Sequence, residues 1–215
     1  MSLHKILQIR FVSNSWMLNC LCNTCLISAE KIVIDIEGFH LKSLGFIVKE
    51  VSVCSENIND TVLFKSPYDL NLLTRAEKYS ISWLTCNLHG LSWEEGQYSY
   101  SDRFNIFQSF VLRYPDAKFF TKGVEKCAII QSLLPNHSIF NLEELNCPKV
   151  CDLLLNDKTI YCPYHKIPKY KRCHCARQKA HSYFRWLKQR NAKTLESITQ
   201  TADVPVGKLT NLRVG

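Results

Sequence analysis

Between residues 31 and 142 short apolar runs alternate with turn-forming residues, and the period of those runs changes halfway. Residues 31–36 (KIVIDI), 46–53 (FIVKEVSV) and 61–65 (TVLFK) are rich in β-branched and aromatic side chains, and Ser66-Pro67 stops the third. Short runs of this kind, separated by turn signals, predict a meander of adjacent strands. After Ser101-Asp102, a suitable helix cap, Phe104, Ile106, Phe107, Phe110 and Val111 recur at helical spacing and stop before Pro115. Residues 117–121 (AKFFT) then read as a strand. Residues 123–134 read as a helix with Val124, Cys127, Ala128 and Leu133 or Leu134 inward, and residues 138–142 as another strand.

Pro148 suits the first turn of a helix reaching Leu155, because its missing N–H would be unpaired there anyway. A last helix is expected over residues 175–190, burying Ala176, Ala180, Tyr183, Phe184 and Leu187. Past Asn191 the chain is polar, and a loosely held tail is expected over 191–215. Trp83, Trp93 and Trp186 are expected in the core. The order predicts one α/β domain over residues 31–190, with three antiparallel strands and then parallel strands joined by right-handed crossover helices.

A chain of 215 residues suits one well-buried domain, and its hydrophobic (46%) and charged (21%) fractions are those of a globular protein. No stretch is apolar enough to cross a bilayer. Residues 1–30 carry Lys5 and Arg10 and a weakly apolar run, 16–27, which Asn19, Asn23 and Thr24 interrupt. They read as an N-terminal extension, with a secretory signal as the alternative. Eleven cysteines are an odd number in a chain long for a disulfide scaffold, so a reducing, intracellular compartment is expected. The net charge of +8 is uneven. Residues 157–215 hold 13 Lys/Arg against 3 Asp/Glu, while the rest of the chain is slightly acidic. A basic quarter of this kind attracts phosphate or forms a solvated face.

Asp35 and Glu37 lie two apart on the first strand, so both carboxylates leave the same face. Such neighbours repel unless a cation sits between them, and paired divalent metals acting on phosphate are the usual reason for the arrangement. The segment Asp35-Ile-Glu-Gly-Phe39 resembles the first motif of the DEDD-type 3′–5′ exonucleases. Residues 87–95 (NLHGLSWEE) resemble their "H-G-I-T-x-E" segment, and residues 174–180 (HCARQKA) resemble the "H-x-A-x-x-D-A" third motif of the histidine-bearing subgroup. The resemblance covers residues 31–190 and implies a ribonuclease-H-like fold. It also implies a catalytic set in which Asp35 and Glu37 hold Mg²⁺ or Mn²⁺, His174 orients the water and Glu125 completes the set.

Two departures bear on that activity. Lys179 stands where the third motif has Asp, and the second-motif segment 119–126 (FFTKGVEK) offers only Glu125, between Lys122 and Lys126. Replacing a carboxylate by an ammonium places positive charge where a divalent cation must sit. Lys179 or Lys126 is then expected to pair with Asp35 and Glu37 in its stead.

Cys162-Pro-Tyr-His165, followed by Cys173-His174-Cys175, has the spacing of a structural zinc site. The expected ligands are Cys162, His165, Cys175 and, as the fourth, Cys147, with Cys151 and Cys173 competing for that place. The alternative is a set of buried thiols. The combination also resembles Maelstrom domains, exonuclease-like modules that lack most of the acidic set and carry a Glu-Cys-His-Cys cluster. Its "C-x₂-H…C-A" part is similar to Cys162, His165, Cys175 and Ala176, with Glu50 a candidate for its Glu. That resemblance implies handling of single-stranded RNA.

Lys166, Lys169, Lys171, Arg172 and Arg177, interleaved with Tyr164 and Tyr170, are the expected nucleic-acid contacts. The leading expectation is therefore a zinc-stabilised, exonuclease-like domain that binds RNA or single-stranded DNA without efficient cleavage. An active metal-dependent exonuclease is the second, and a protein-interaction module derived from a mobile or viral element the third.

Overall fold

The structure is a computed structural model that describes residues 30–154, 162, 164, 165 and 175–202, the side chains of 154 and 191–202 excepted. Its centre is a five-stranded mixed sheet. Strands β1 (Lys31–Leu41), β2 (Gly45–Cys54) and β3 (Asn59–Leu63) form the antiparallel meander; β4 (Lys118–Thr121) and β5 (Ile139–Asn141) add parallel to β1 on its other side. The strand order is β3-β2-β1-β4-β5. The helices are α1 (Arg75–Asn87), α2 (Arg103–Arg113), α3 (Val124–Leu133), α4 (Val150–Leu154) and α5 (Ala176–Ala202).

The alternation of β1 decides which face carries chemistry. Ile32, Ile34 and Ile36 point into a cluster with Phe107, Phe110 and Val111 of α2 and Ile130 and Leu133 of α3. Val33 points the other way, into a cluster with Phe120, Leu142, Cys147, Ala180, Tyr183 and Leu187 under α5. By period two, Asp35 and Glu37 share the face of Val33, so α5 lies over them. Burying an Ile or Phe contributes about 1.5–3 kcal/mol, so these two layers can carry a strand that also buries two acids.

A β-bulge opposite Glu37 and Gly38, with Lys49 as the extra residue of β2, shifts the alternation of β2 but leaves that of β1 intact. Phe39 and Leu41 therefore continue the face of Asp35 and Glu37 and fill a third cluster with Ile47, Leu73, Ile81 and Trp93. Gly38 is fixed there by space, because a Cβ would overlap the carbonyl of Ile47.

Several elements differ from the sequence expectation. Helix α1 was not anticipated: its apolar content is low, and Tyr79 and Trp83 are exposed, the latter against the expectation of a core tryptophan. The signal for it was a capping box, in which Thr74 and Glu77 satisfy each other's backbone N–H groups. In α3 the expected inward residues Val124 and Ala128 are exposed. The helix is phased instead by Lys126 and Ile130, four residues apart, and Lys126 turns towards the acids of β1. Helix α4 starts at Val150 rather than Pro148, and α5 runs on through Ala202, since no Gly or Pro follows Asn191 until Pro205. Trp93 is buried as expected, and Trp186 is half-buried against the α5 cluster. Among the described residues no helix is long and apolar enough to cross a membrane.

Candidate metal centre and the neighbouring acidic site

Four side chains from distant parts of the chain converge above β2. Glu50, Cys162, His165 and Cys175 bring one ligand atom each to within 4.8 Å of one another. Glu50 is wholly buried on β2, and Cys175 stands just before α5. Glu50 Oε1 lies 2.9 Å from His165 Nε2, 3.5 Å from Cys162 Sγ and 3.9 Å from Cys175 Sγ. A tetrahedral ion with donors at about 2.0–2.3 Å spaces them about 3.3–3.8 Å apart, so this group could hold a metal ion.

The surroundings orient these donors. Glu50 Oε2 accepts the backbone N–H of Ala176 at 2.8 Å, at the start of α5. His165 Nδ1 bonds the carbonyl of His89, which leaves Nε2 for the centre. The loop carrying that carbonyl is clamped by Lys49, fully buried beside Glu50, whose ammonium donates to the carbonyls of Trp93 (2.7 Å) and Glu95 (2.8 Å). Burial, opposed by the charge of Glu95, brings Lys49 down to about 8.

Hydrogen bonds among the four donors shift their protonation. A hydrogen bond from the Cys175 thiol, helped by His165 and opposed by burial, lowers Cys162 to about 4, while the donating Cys175 is pushed up. Burial would depress His165, but its bonds to Cys162 and Glu50 win and raise it to about 10. Burial raises Glu50 despite those bonds. A divalent ion would take over the work of these protons.

Cys147, expected as the fourth ligand, is not in this group. It is buried in the α5 cluster with Phe120, Leu142 and Tyr183, and burial raises its pKa to about 11. The carboxylate of Glu50 takes the fourth place because β2 passes beneath the start of α5, a long-range pairing that no local spacing shows. Cys151 is exposed and outside the group as well.

One turn further along α5, the acids of β1 are met by two lysines. Lys126 Nζ lies 2.9 and 3.0 Å from the two carboxylate oxygens of Asp35 and 3.2 Å from Glu37 Oε1. Lys179 Nζ donates to the same Glu37 oxygen. Asp35, Glu37 and Lys179 are all buried, and the Lys126 side chain is 23% exposed. Burial pushes the Asp35 carboxyl up in spite of both ammoniums. Burial works the same way on Glu37, but Lys126 and Lys179 outweigh it and hold that carboxyl at about 2. Tyr183 closes the site from α5, its phenol pushed up by burial and by the charge of Asp35.

Glu125 does not join this set. Its carboxylate is 65% exposed and sits 3.5 Å from His40 Nδ1. The phase of α3 that brings Lys126 inward turns Glu125 out. Lys179 or Lys126 was expected to pair with the acids, and both do so. His174, Lys166, Lys169, Lys171, Arg172, Tyr170 and Cys173 lie outside the described residues. Of the expected nucleic-acid contacts only Arg177 is described: it is half-buried, its Nε is enclosed, and its charge bears on Cys54. Tyr164 is half-buried and accepts a bond from Gln97 at 2.8 Å.

Compared with protein-family models, curated proteins and solved structures, the chain matches none. Its function is therefore argued from these two adjoining sites.

Proposed function

We propose that the chain is a ribonuclease-H-like, DEDD-exonuclease-derived domain that binds RNA or single-stranded DNA and has lost metal-dependent cleavage. The observation that carries this reading is the position of two lysines, Lys126, whose ammonium bridges Asp35 and Glu37, and Lys179, which donates to Glu37. A two-metal site needs anions on all sides of its cations. Here two cations already neutralise the two acids, and Lys179 is in the helix position where the resembled motif has its Asp. The strand order, with three antiparallel strands followed by two parallel ones, supports the same fold reading.

The Glu50-Cys162-His165-Cys175 group supports the similarity to Maelstrom domains and favours zinc, since two thiolates and an imidazole form a borderline-soft donor set. Its role would be structural, tying residues 162–165 and the start of α5 to β2. The strongly basic quarter from residue 157 onward supports phosphate contact.

Labelled single-stranded RNA and DNA, incubated with the full chain and Mn²⁺, test the reading. Salt-sensitive binding without cleavage is expected. Mn²⁺-dependent cleavage that Asp35→Asn abolishes would overturn it, and neither binding nor cleavage would leave a protein-interaction module.

A further inference from the structure

A separate cavity of about 430 Å³ opens where the turn between β2 and β3 meets the outer flank of α5. Its helix wall carries His181, Arg185 and Lys188, four and seven residues apart from the first, so they form one stripe. This stripe is distinct from the inner one that holds Lys179 and Tyr183 against the sheet. Phe184, half-buried, adds an aromatic ring to the same wall. The opposite wall combines the apolar Cys54 and Ile58 with Ser55, Asn57 and Asn59, which supply hydroxyl and amide groups, and with the charge of Glu56.

The turn is rigid: Ser55 Oγ accepts from the backbone N–H of Asn57 (3.2 Å) and donates to Glu30 (2.7 Å). Across the cavity Lys188 Nζ pairs with Glu56 at 2.5 Å, both side chains more than half exposed. An exposed pair of this kind is weak, so an incoming anion can take over the ammonium.

We propose that this cavity binds a phosphate-bearing nucleotide, either free or as the phosphorylated end of a single strand. Arg185 and Lys188 would receive the phosphate, Phe184 would stack against the base, and the amides of Asn57 and Asn59 would meet its edge. A guanidinium fork and an ammonium beside an aromatic ring, facing carboxamides, suit that ligand better than a bare anion, which would leave the ring and amides unused. The cavity has the size of a small-ligand pocket, about 300–1,000 Å³. It deepens the nucleic-acid reading above and rests on it only for the single-strand source.

The test is calorimetric titration of the metal-loaded full chain with AMP, with inorganic phosphate, and with one oligonucleotide carrying either a 5′-phosphate or a 5′-hydroxyl. AMP is expected to saturate at one per chain and to bind at least about tenfold more tightly than phosphate. Arg185→Ala, at an exposed position, is expected to weaken AMP about tenfold or more, whereas Glu56→Gln tightens it. A preference for the 5′-phosphorylated strand over AMP, lost in Arg185→Ala, identifies the strand end as the source; AMP binding without strand binding identifies the free nucleotide. No saturable AMP binding, equal affinity for phosphate, or indifference to both Arg185→Ala and Lys188→Ala overturns the assignment. If strands bind while AMP does not, the cavity is ruled out and the nucleic-acid reading survives.

Discussion

Glu37 and Glu50 are register partners on the antiparallel β1–β2 ladder, so their carboxylates leave the same face of the sheet side by side. Like charges directly opposite one another destabilise a sheet, and each of these is nearly or wholly buried. The conflict is resolved from α5. Cys175, just before its first turn, reaches the group around Glu50, and Lys179, four residues on, reaches Glu37. Lys179 N–H also closes the helix onto the Cys175 carbonyl at 3.1 Å. One helix end therefore serves both acids, and the candidate metal centre and the lysine-filled site adjoin through it.

Removing one of the two cations should expose that conflict. Lys179→Met leaves Glu37 buried with Lys126 alone, and we expect a loss of about 3 kcal/mol in urea unfolding. Glu37→Gln in the same chain should recover most of it, because the unpaired charge is then gone. A Lys179→Met variant as stable as the parent would show that the lysine is not satisfying Glu37.

The pH dependence follows from Glu37. Its folded pKa of about 2 lies below its ordinary 4.5, so its contribution is complete above 4.5 and is lost as pH falls from there towards 2. Asp35, raised by burial, titrates in the opposite sense and softens the slope. The parent should therefore lose more stability than Lys179→Met between pH 4.5 and 2, and the two curves should converge. Parallel curves in acid denaturation would contradict this.

Much of this design is legible in sequence, and the illegible part has physical causes. Period-two and helical runs reveal the strands and the crossover helices because burial on one or both faces imposes them. The pairing of Lys179 and Lys126 with Asp35 and Glu37 was legible because charges of opposite sign in resembled motif positions must meet. Glu50 was not placed by spacing, since a ligand on β2 is brought to Cys162 and Cys175 only by the closing of the sheet under α5. Glu125 and Val124 were misplaced because each residue turns a helix by about 100°, so the two-residue offset between the expected Val124 and the observed Lys126 exchanges the inward and outward faces. Helix α1 was missed because its one strong signal was the Thr74–Glu77 cap.

Metal content distinguishes Glu50 from Cys147. Glu50→Gln and Cys175→Ser should each abolish tight binding of one zinc per chain, while Cys147→Ser should retain the metal and cost about 1–3 kcal/mol for a buried hydroxyl in an apolar cluster. Chelation of the parent should lower the melting temperature by about 10 °C, as expected for about 4 kcal/mol of ligand stabilisation in a chain of this size. Loss of metal in Cys147→Ser with retention in Glu50→Gln would reverse the assignment.

Gly38→Ala tests the close approach of β1 and β2 beside the bulge. Its methyl would overlap the Ile47 carbonyl, where backbone on both strands is already paired. We expect a loss of about 3 kcal/mol or more. A near-neutral effect in thermal unfolding would mean that β1 and β2 do not approach so closely there.

The most direct measurement is an anomalous-scattering map of a crystal of the full chain containing zinc and soaked in Mn²⁺, with data collected at both absorption edges. We expect a zinc peak among Glu50, Cys162, His165 and Cys175, and between Asp35 and Glu37 only the ammoniums of Lys126 and Lys179. Manganese seated between those two carboxylates, with the lysines displaced, would contradict the proposal that cleavage has been lost.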